Sequence, residues 1–457
     1  MPNSIQAVSR RSHLLAAVND SPVLMRILLA LLAAYILWPS YGEWKLSGVP
    51  NLAPPRLLKL LLIGWLAYRF AWCGLPFEQL KARIKNSWMI FFCLLVYEVF
   101  QIVAFTLDRN TLYFFYRFIK EEMFTNLLIM FAFLLILRGA SDLKKTVEVI
   151  SLCGLLVGVL VIVESILKQN LYATIVSDAN LNTVFALIDK SRDLHYRAQG
   201  PFSHPLLLAT FCAGVLPLAW WSIAMTSGLR RFLHFLAVAA LVAAAYLSYT
   251  RSGLGLVLLA LLGCALYEYA GWVRRCRNHL FVMFTLTQMA GLLIAVVIGA
   301  GWYGGQLLSG QTAEESMSSY ARWEMLRAGI PKIMASPLLG YGPTEAVRGV
   351  GFSGRLFGNF LDNYFLLLGL QVGLVGLFAF AGMYIAAFIR SRRLGRMPGY
   401  AGLGFFLTLS LACFFVMQIV HALTDLMWLL YVIIALTVVA SAGSPDSEPK
   451  SSHTVTA

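Results

Sequence analysis

Apolar residues along this chain gather into twelve runs separated by short polar stretches, and each run is long enough to cross a lipid bilayer. A spanning helix needs about 20 mostly apolar residues, because every backbone polar group in the hydrocarbon must be bonded within its own segment. The windows that meet this are 22–40, 56–73, 87–107, 112–137, 146–167, 204–225, 232–250, 253–270, 280–300, 362–389, 400–421 and 423–441. The pattern predicts an all-α polytopic membrane protein of about 12 transmembrane helices, with a long, partly helical loop between the ninth and tenth. No internal repeat is visible. The first run is followed by Pro39-Ser40-Tyr41-Gly42-Glu43-Trp44 rather than a small-residue cleavage site, so it reads as a retained span.

Charge fixes the expected sidedness. Lys81/Arg83/Lys85, Arg138/Lys144/Lys145, Arg230/Arg231, Arg274/Arg275/Arg277 and Arg390/Arg392/Arg393/Arg396 all fall in every second connection. By the positive-inside rule these connections and both termini are cytoplasmic. The division expected is a cytoplasmic tail 1–21, a membrane body 22–441 and a cytoplasmic tail 442–457. The opposite face, periplasmic in a bacterial inner membrane, receives the long connections 168–203 and 301–361, and loops of that size are usually functional. Within window 112–137, Arg117, Lys120, Glu121 and Glu122 crowd the first half, which predicts an interfacial stretch before a span beginning near Met123.

Composition narrows the chemistry. With 59% hydrophobic and 13% charged residues, the chain is too apolar for an aqueous domain, and its net charge of +14 is dispersed in short clusters rather than a nucleic-acid-binding patch. The seven cysteines show no ligand spacing, and there is no HExxH, Walker or GxSxG sequence and no metal-spaced carboxylate pair, so neither metal nor cofactor is expected.

A few polar residues stand out against this background. Arg251, in Thr250-Arg251-Ser252-Gly253 between two apolar runs, either anchors the interface or grips an anionic headgroup, since a guanidinium fork suits phosphate oxygens. The segment 316–330 opens with serines suited to capping a helix, sets Trp323, Leu326 and Ile330 on one side and points Arg322 elsewhere. A short helix on the outer surface fits, with Arg322 either presented to a ligand or paired with a nearby glutamate. Asp362 either caps the tenth span or acts as a base for a hydroxyl. His204, before Pro205, is either a cap-region hydrogen bonder or a substrate contact. His421 and Asp425 face each other across the last outer turn.

The run Gly200 to Pro205, Thr250-Arg251-Ser252-Gly253, Arg322-Trp323 through Pro337 to Gly340-Tyr341-Gly342, and Asp362-Asn363-Tyr364-Phe365-Leu366 before Gly369 and Gly373-Leu374-Val375-Gly376 resemble, in this order, the O-antigen ligase and Wzy-type polysaccharide polymerase superfamily over residues 200–390. The resemblance implies metal-independent, inverting glycan transfer on the periplasmic side from an undecaprenyl-diphosphate-linked donor. It implies catalytic roles for Arg251, Arg322 and Asp362, with His204, Arg327, Tyr341 and Asn363 contributing to substrate binding. Asp362 stands where ligases of the superfamily generally carry histidine before asparagine, which tilts the expectation toward a repeat-unit polymerase. The alternative is ligation of the glycan to lipid A core. Membrane lipids, and chain-length or export proteins, are the further partners it leaves room for. A transporter or flippase is the reading from another class, and it predicts its important charges in mid-bilayer.

Overall fold

The computed structural model describes residues 22–39, 41–42, 53–73, 77–174, 195–275, 313–348, 361–394, 400, 402–422 and 424–442, with isolated positions besides. The ninth window, 280–300, and both tails lie outside the described residues. The described elements are all helical. In chain order they are α1 (Pro22–Leu37), α2 (Pro54–Tyr68), α3 (Phe77–Asn86), α4 (Trp88–Thr106), α5 (Thr111–Arg117), α6 (Leu128–Ile136), α7 (Ala140–Leu167), α8 (Pro205–Met225), α9 (Gly228–Leu247), α10 (Arg251–Arg275), α11 (Ala313–Ala335), α12 (Gly342–Arg348), α13 (Tyr364–Leu394), α14 (Leu403–Val420) and α15 (Met427–Ala442). Seven of them, α4, α7, α8, α9, α10, α13 and α14, are long and apolar enough to cross a membrane, while α1 and α15 are shorter apolar helices. Each of the eleven windows within the described residues coincides with helix.

Helix α8 lies at the centre: it is the most enclosed of the membrane-length helices and packs on α7, α9, α10 and α14. A lipid-facing helix exposes its apolar side, so near-complete burial of one span marks the middle of the bundle.

Hydrogen-bonded bridges sort the connections into two faces. Lys144 Nζ donates to Met225 O, and Arg83 reaches the carbonyls of Leu134 and Leu137, so connections rich in basic residues meet one another. On the opposite face Tyr172 Oη donates to Leu37 O at 2.7 Å, Ala198 N–H to Leu247 O at 3.1 Å, Thr344 N–H to Asp108 Oδ2 at 2.7 Å, and Ser203 Oγ to Asp425 Oδ2 at 2.6 Å. Each bridge joins two connections that the charge pattern assigns to one side. We refer to them as the basic face and the long-loop face.

The charged first half of the fourth window is not an ordinary α-helix: α5 continues through π-helical turns at Phe118–Leu127 directly into α6. The wider winding accommodates the charged residues, with Glu122 accepting from Tyr431 Oη at 2.7 Å and Asn126 Nδ2 at 2.8 Å, and Arg117 pairing with Glu121 at 2.8 Å.

The tenth span is not a straight helix either. At Gly373 the backbone takes φ 72° and ψ −176°, a region essentially confined to glycine. The ring centroids of Tyr364 and Phe380 are 5.4 Å apart. In a continuous helix sixteen residues would separate them by about 24 Å along the axis. Helix α13 therefore doubles back at Gly373 as a hairpin of two limbs. The groups freed at the bend are taken up by the preceding loop: Leu374 N–H donates to Pro337 O at 2.6 Å, and Tyr341 N–H to Leu370 O at 2.8 Å.

Candidate active site

The first limb of α13 begins at Asp362-Asn363-Tyr364, and adjacent polar residues there divide the work. Asn363 Oδ1 accepts the N–H of Leu366 at 2.9 Å, the bond of an N-cap. With the cap supplied by its neighbour, Asp362 is free to pair elsewhere: its Oδ2 lies 3.5 Å from Nε of Arg322. That nitrogen is buried without a hydrogen bond among the described residues, so the contact is an ion pair rather than a bonded fork. The pair stays accessible, with Arg322 40% and Asp362 34% exposed.

Arg322 is carried by α11, which differs from the expected surface helix. It begins at Ala313, ahead of the serines that were to cap it, and runs past Pro331 to Ala335. Its buried stripe is Ala321, Met325 and Ile333, and an added Cβ on Gly329 of that stripe would lie 2.8 Å from Leu366 Cδ1. Trp323 and Ile330, expected together on one side, point outward at 64% and 53% exposure. Successive contacts of Arg322 with Asp362, Gly329 with Leu366 and Ile333 with Gly369 run in the same order on both elements. Helix α11 thus stands lengthwise and parallel to the first limb instead of lying flat.

This places the pair deep. Tyr364, two residues from Asp362, meets Tyr97 hydroxyl to hydroxyl at 3.3 Å, and Tyr97 sits midway along α4. The start of the first limb thus reaches the middle of a membrane-length helix.

Two other segments close over it. His204 caps α8, its Nδ1 accepting the N–H of Leu206 at 3.1 Å, and its ring centroid lies 5.7 Å from that of His421. His421 follows α14 with extended backbone, and Asp362, Asp425 and Arg322 all act on its charge. Burial in this turn holds its imidazole below the ordinary histidine range, while the two carboxylates pull the other way. Ser203 and Asp425 join these segments through their hydroxyl–carboxylate bond.

The run leading to Ser203 is anchored from below by Glu164, a residue sequence reasoning passed over. Its buried carboxylate accepts Gln199 N–H at 3.0 Å, Gly200 N–H at 2.8 Å and Tyr196 Oη at 3.0 Å. An ionisable residue inside apolar window 146–167 was the signal available in the sequence.

Arg251 opens α10 just after Tyr249, which takes a left-handed φ of 46°. Ser248 Oγ and Thr250 Oγ1 lock this turn at 2.6 Å, and Arg197 Nε donates to Ser248 O at 3.2 Å. An added Cβ on Gly253 would lie 2.2 Å from Ala209 Cβ, so α10 starts hard against the first turns of the helix that His204 caps. Arg251 thus opens a helix that packs against the one His204 caps. Arg327 lies away from the site, 73% exposed and 3.7 Å from Glu324. Tyr341 is committed to the fold, its hydroxyl donating to Lys332 O at 3.0 Å, and Asn363 to its cap. Among the described residues no group of three or more His, Cys, Asp or Glu is placed to hold a metal ion.

The fold and site define a multi-pass α-helical membrane protein that holds an accessible arginine and carboxylate beneath its long-loop face. Residues 235–381, which contain Arg251, Arg322 and Asp362, match the family model described as O-Antigen ligase, so this stretch, about a third of the chain, is similar to that family of membrane glycan-handling enzymes. No curated protein matches the chain.

Proposed function

We propose that this protein transfers a glycan from a polyprenyl diphosphate, undecaprenyl diphosphate in bacteria, to an acceptor hydroxyl at the long-loop face, which is the periplasmic one. The observation that carries the reading is the Arg322–Asp362 pair inside the matched domain, a guanidinium 3.5 Å from a carboxylate with both side chains part-exposed. Displacement at an anomeric carbon by a hydroxyl expels a diphosphate that leaves well. The protein mainly supplies positive charge where phosphate charge develops, and a fixed geometry for two substrates. Arg322 and Arg251 meet the first need without a metal. Asp362 holds Arg322 in place and faces the incoming hydroxyl.

The family description favours ligation to a terminal acceptor such as lipid A core. Asp362 in place of a histidine favours repeat-unit polymerisation as the second reading, and the depth of the pair favours transport as a third. Purified protein given a lipid-diphosphate-linked glycan with both acceptors separates them. Glycan on lipid A core establishes ligation, lengthened lipid-linked glycan establishes polymerisation, and lipid movement without a new glycosidic bond establishes transport. Under either transfer reading, Asp362→Asn lowers turnover more than donor binding, and normal turnover by that variant would remove Asp362 from the site.

A further inference from the structure

The turn that closes the site contains a side chain to which the transfer reading gives no task. His421 ends α14, its backbone N–H donating to Met417 O at 2.8 Å, yet its ring Nδ1 is buried with no hydrogen-bond partner. Buried polar atoms are almost always bonded, so an orphan calls for an explanation. The neighbouring histidine differs in this respect: His204 has its Nδ1 engaged by Leu206.

The charges around His421 are arranged by three elements. Asp362 comes from the start of the first limb of α13, Arg322 from α11, and Asp425 from the turn that leads into α15. Asp425 in turn holds Ser203 and lies within electrostatic reach of Arg117. Uptake of a proton has opposite consequences at the two candidate bases. On Asp362 it would cancel the charge that balances Arg322 at 3.5 Å. On the imidazole it creates a cation that burial and Arg322 oppose and that both carboxylates, within electrostatic reach, favour.

We propose that His421 is the general base of the transfer step, with Asp362 and Asp425 stabilising the imidazolium it becomes; this rests on the glycan-transfer reading above. As the acceptor oxygen bonds to the anomeric carbon, its O–H bond breaks and the proton passes to the ring of His421. The bond from the anomeric carbon to the diphosphate breaks with its electron pair, which leaves on the phosphate oxygen. Water then takes the proton from the imidazolium. Asp362 is here a counter-ion and orienting group, not the atom that receives the proton.

The test uses full-length protein in lipid nanodiscs with a polyprenyl-diphosphate-linked glycan as donor, comparing His421→Gly, with and without added imidazole, and His421→Gln. A general base contributes about 10²–10⁴-fold, and both variants are expected to lose turnover in that range with the donor KM changed by less than about threefold. Free imidazole restores turnover to His421→Gly, where it can occupy the vacated space, and not to His421→Gln. A residue needed only for folding would give no such recovery. Near-normal turnover by His421→Gln, or a loss in His421→Gly that imidazole leaves unchanged, overturns the assignment. Wild-type protein that forms no glycosidic bond from the donor overturns the transfer reading itself, and the role of His421 with it.

Discussion

Replacing Gly373 by alanine tests the hairpin on which the site is built. An alanine Cβ there would lie 2.5 Å from both C and O of Leu338 and 2.8 Å from Leu339 N, all backbone atoms that no rotamer change can clear. The residue's own φ of 72° with ψ of −176° would cost an L-amino acid about 1–3 kcal/mol even in open space. Moving the loop away would break the bonds from Leu374 to Pro337 and from Tyr341 to Leu370, each contributing about 1 kcal/mol. The combined penalty is on the order of 3–5 kcal/mol, and each 1.4 kcal/mol is about tenfold in an equilibrium. The closed hairpin should therefore lose at least about a hundredfold of its advantage over an opened one. Gly64→Ala is the matched control, because Gly64 lies in helix α2 with nothing within 4 Å of the added carbon. Thermal unfolding in detergent is expected to drop for Gly373→Ala and hold or rise for Gly64→Ala. A cysteine pair at positions 364 and 380, near neighbours in the hairpin and about 24 Å apart along a straight helix, should be bridged by a short bifunctional thiol reagent in the parent and not in the Gly373→Ala background. Equal melting of parent and Gly373→Ala, or no crosslink in the parent, would refute the hairpin.

Two further outcomes are expected. Arg251→Ala should abolish glycan transfer while the protein still folds into membranes, and turnover at the parental rate in an assay with lipid-linked donor would take Arg251 out of the site. Glu164→Gln exchanges one acceptor oxygen for a donor facing backbone N–H groups, so it should lower unfolding stability by about 1–3 kcal/mol, together with activity; unchanged melting would show that the Gln199–Gly200 run is held by other contacts.

What the sequence made legible follows from what sequence encodes locally. Length of apolar run is a one-dimensional property, so α4, α7, α8, α9, α10 and α14 lie within a few residues of their windows. The hairpin was not readable in the same way: a single glycine inside an apolar run leaves the hydropathy unchanged while it reverses the chain. The choice between Asp362 and Asn363 as cap was open because both residue types cap helices, and only the bond to Leu366 decides it. Trp323 and Ile330 do share one side of helix α11, and it is the exposed one, while small residues such as Ala321 and Gly329 form the protein contact. The candidates Arg322 and Asp362 were chosen forty residues apart in the chain and meet in space. Arg327 and Tyr341, the other candidates on this stretch, go elsewhere: Arg327 is exposed beside Glu324 and Tyr341 belongs to the loop that seals the bend.

The segments that roof the site, 203–204 and 421–425, lie outside the matched stretch 235–381 on either side of it. The two halves of the constellation can therefore drift at different rates during evolution. Substitutions around Ser203 or Asp425 would reshape the entrance offered to an incoming sugar while leaving the recognisable domain intact, so relatives with the same signature need not accept the same second substrate.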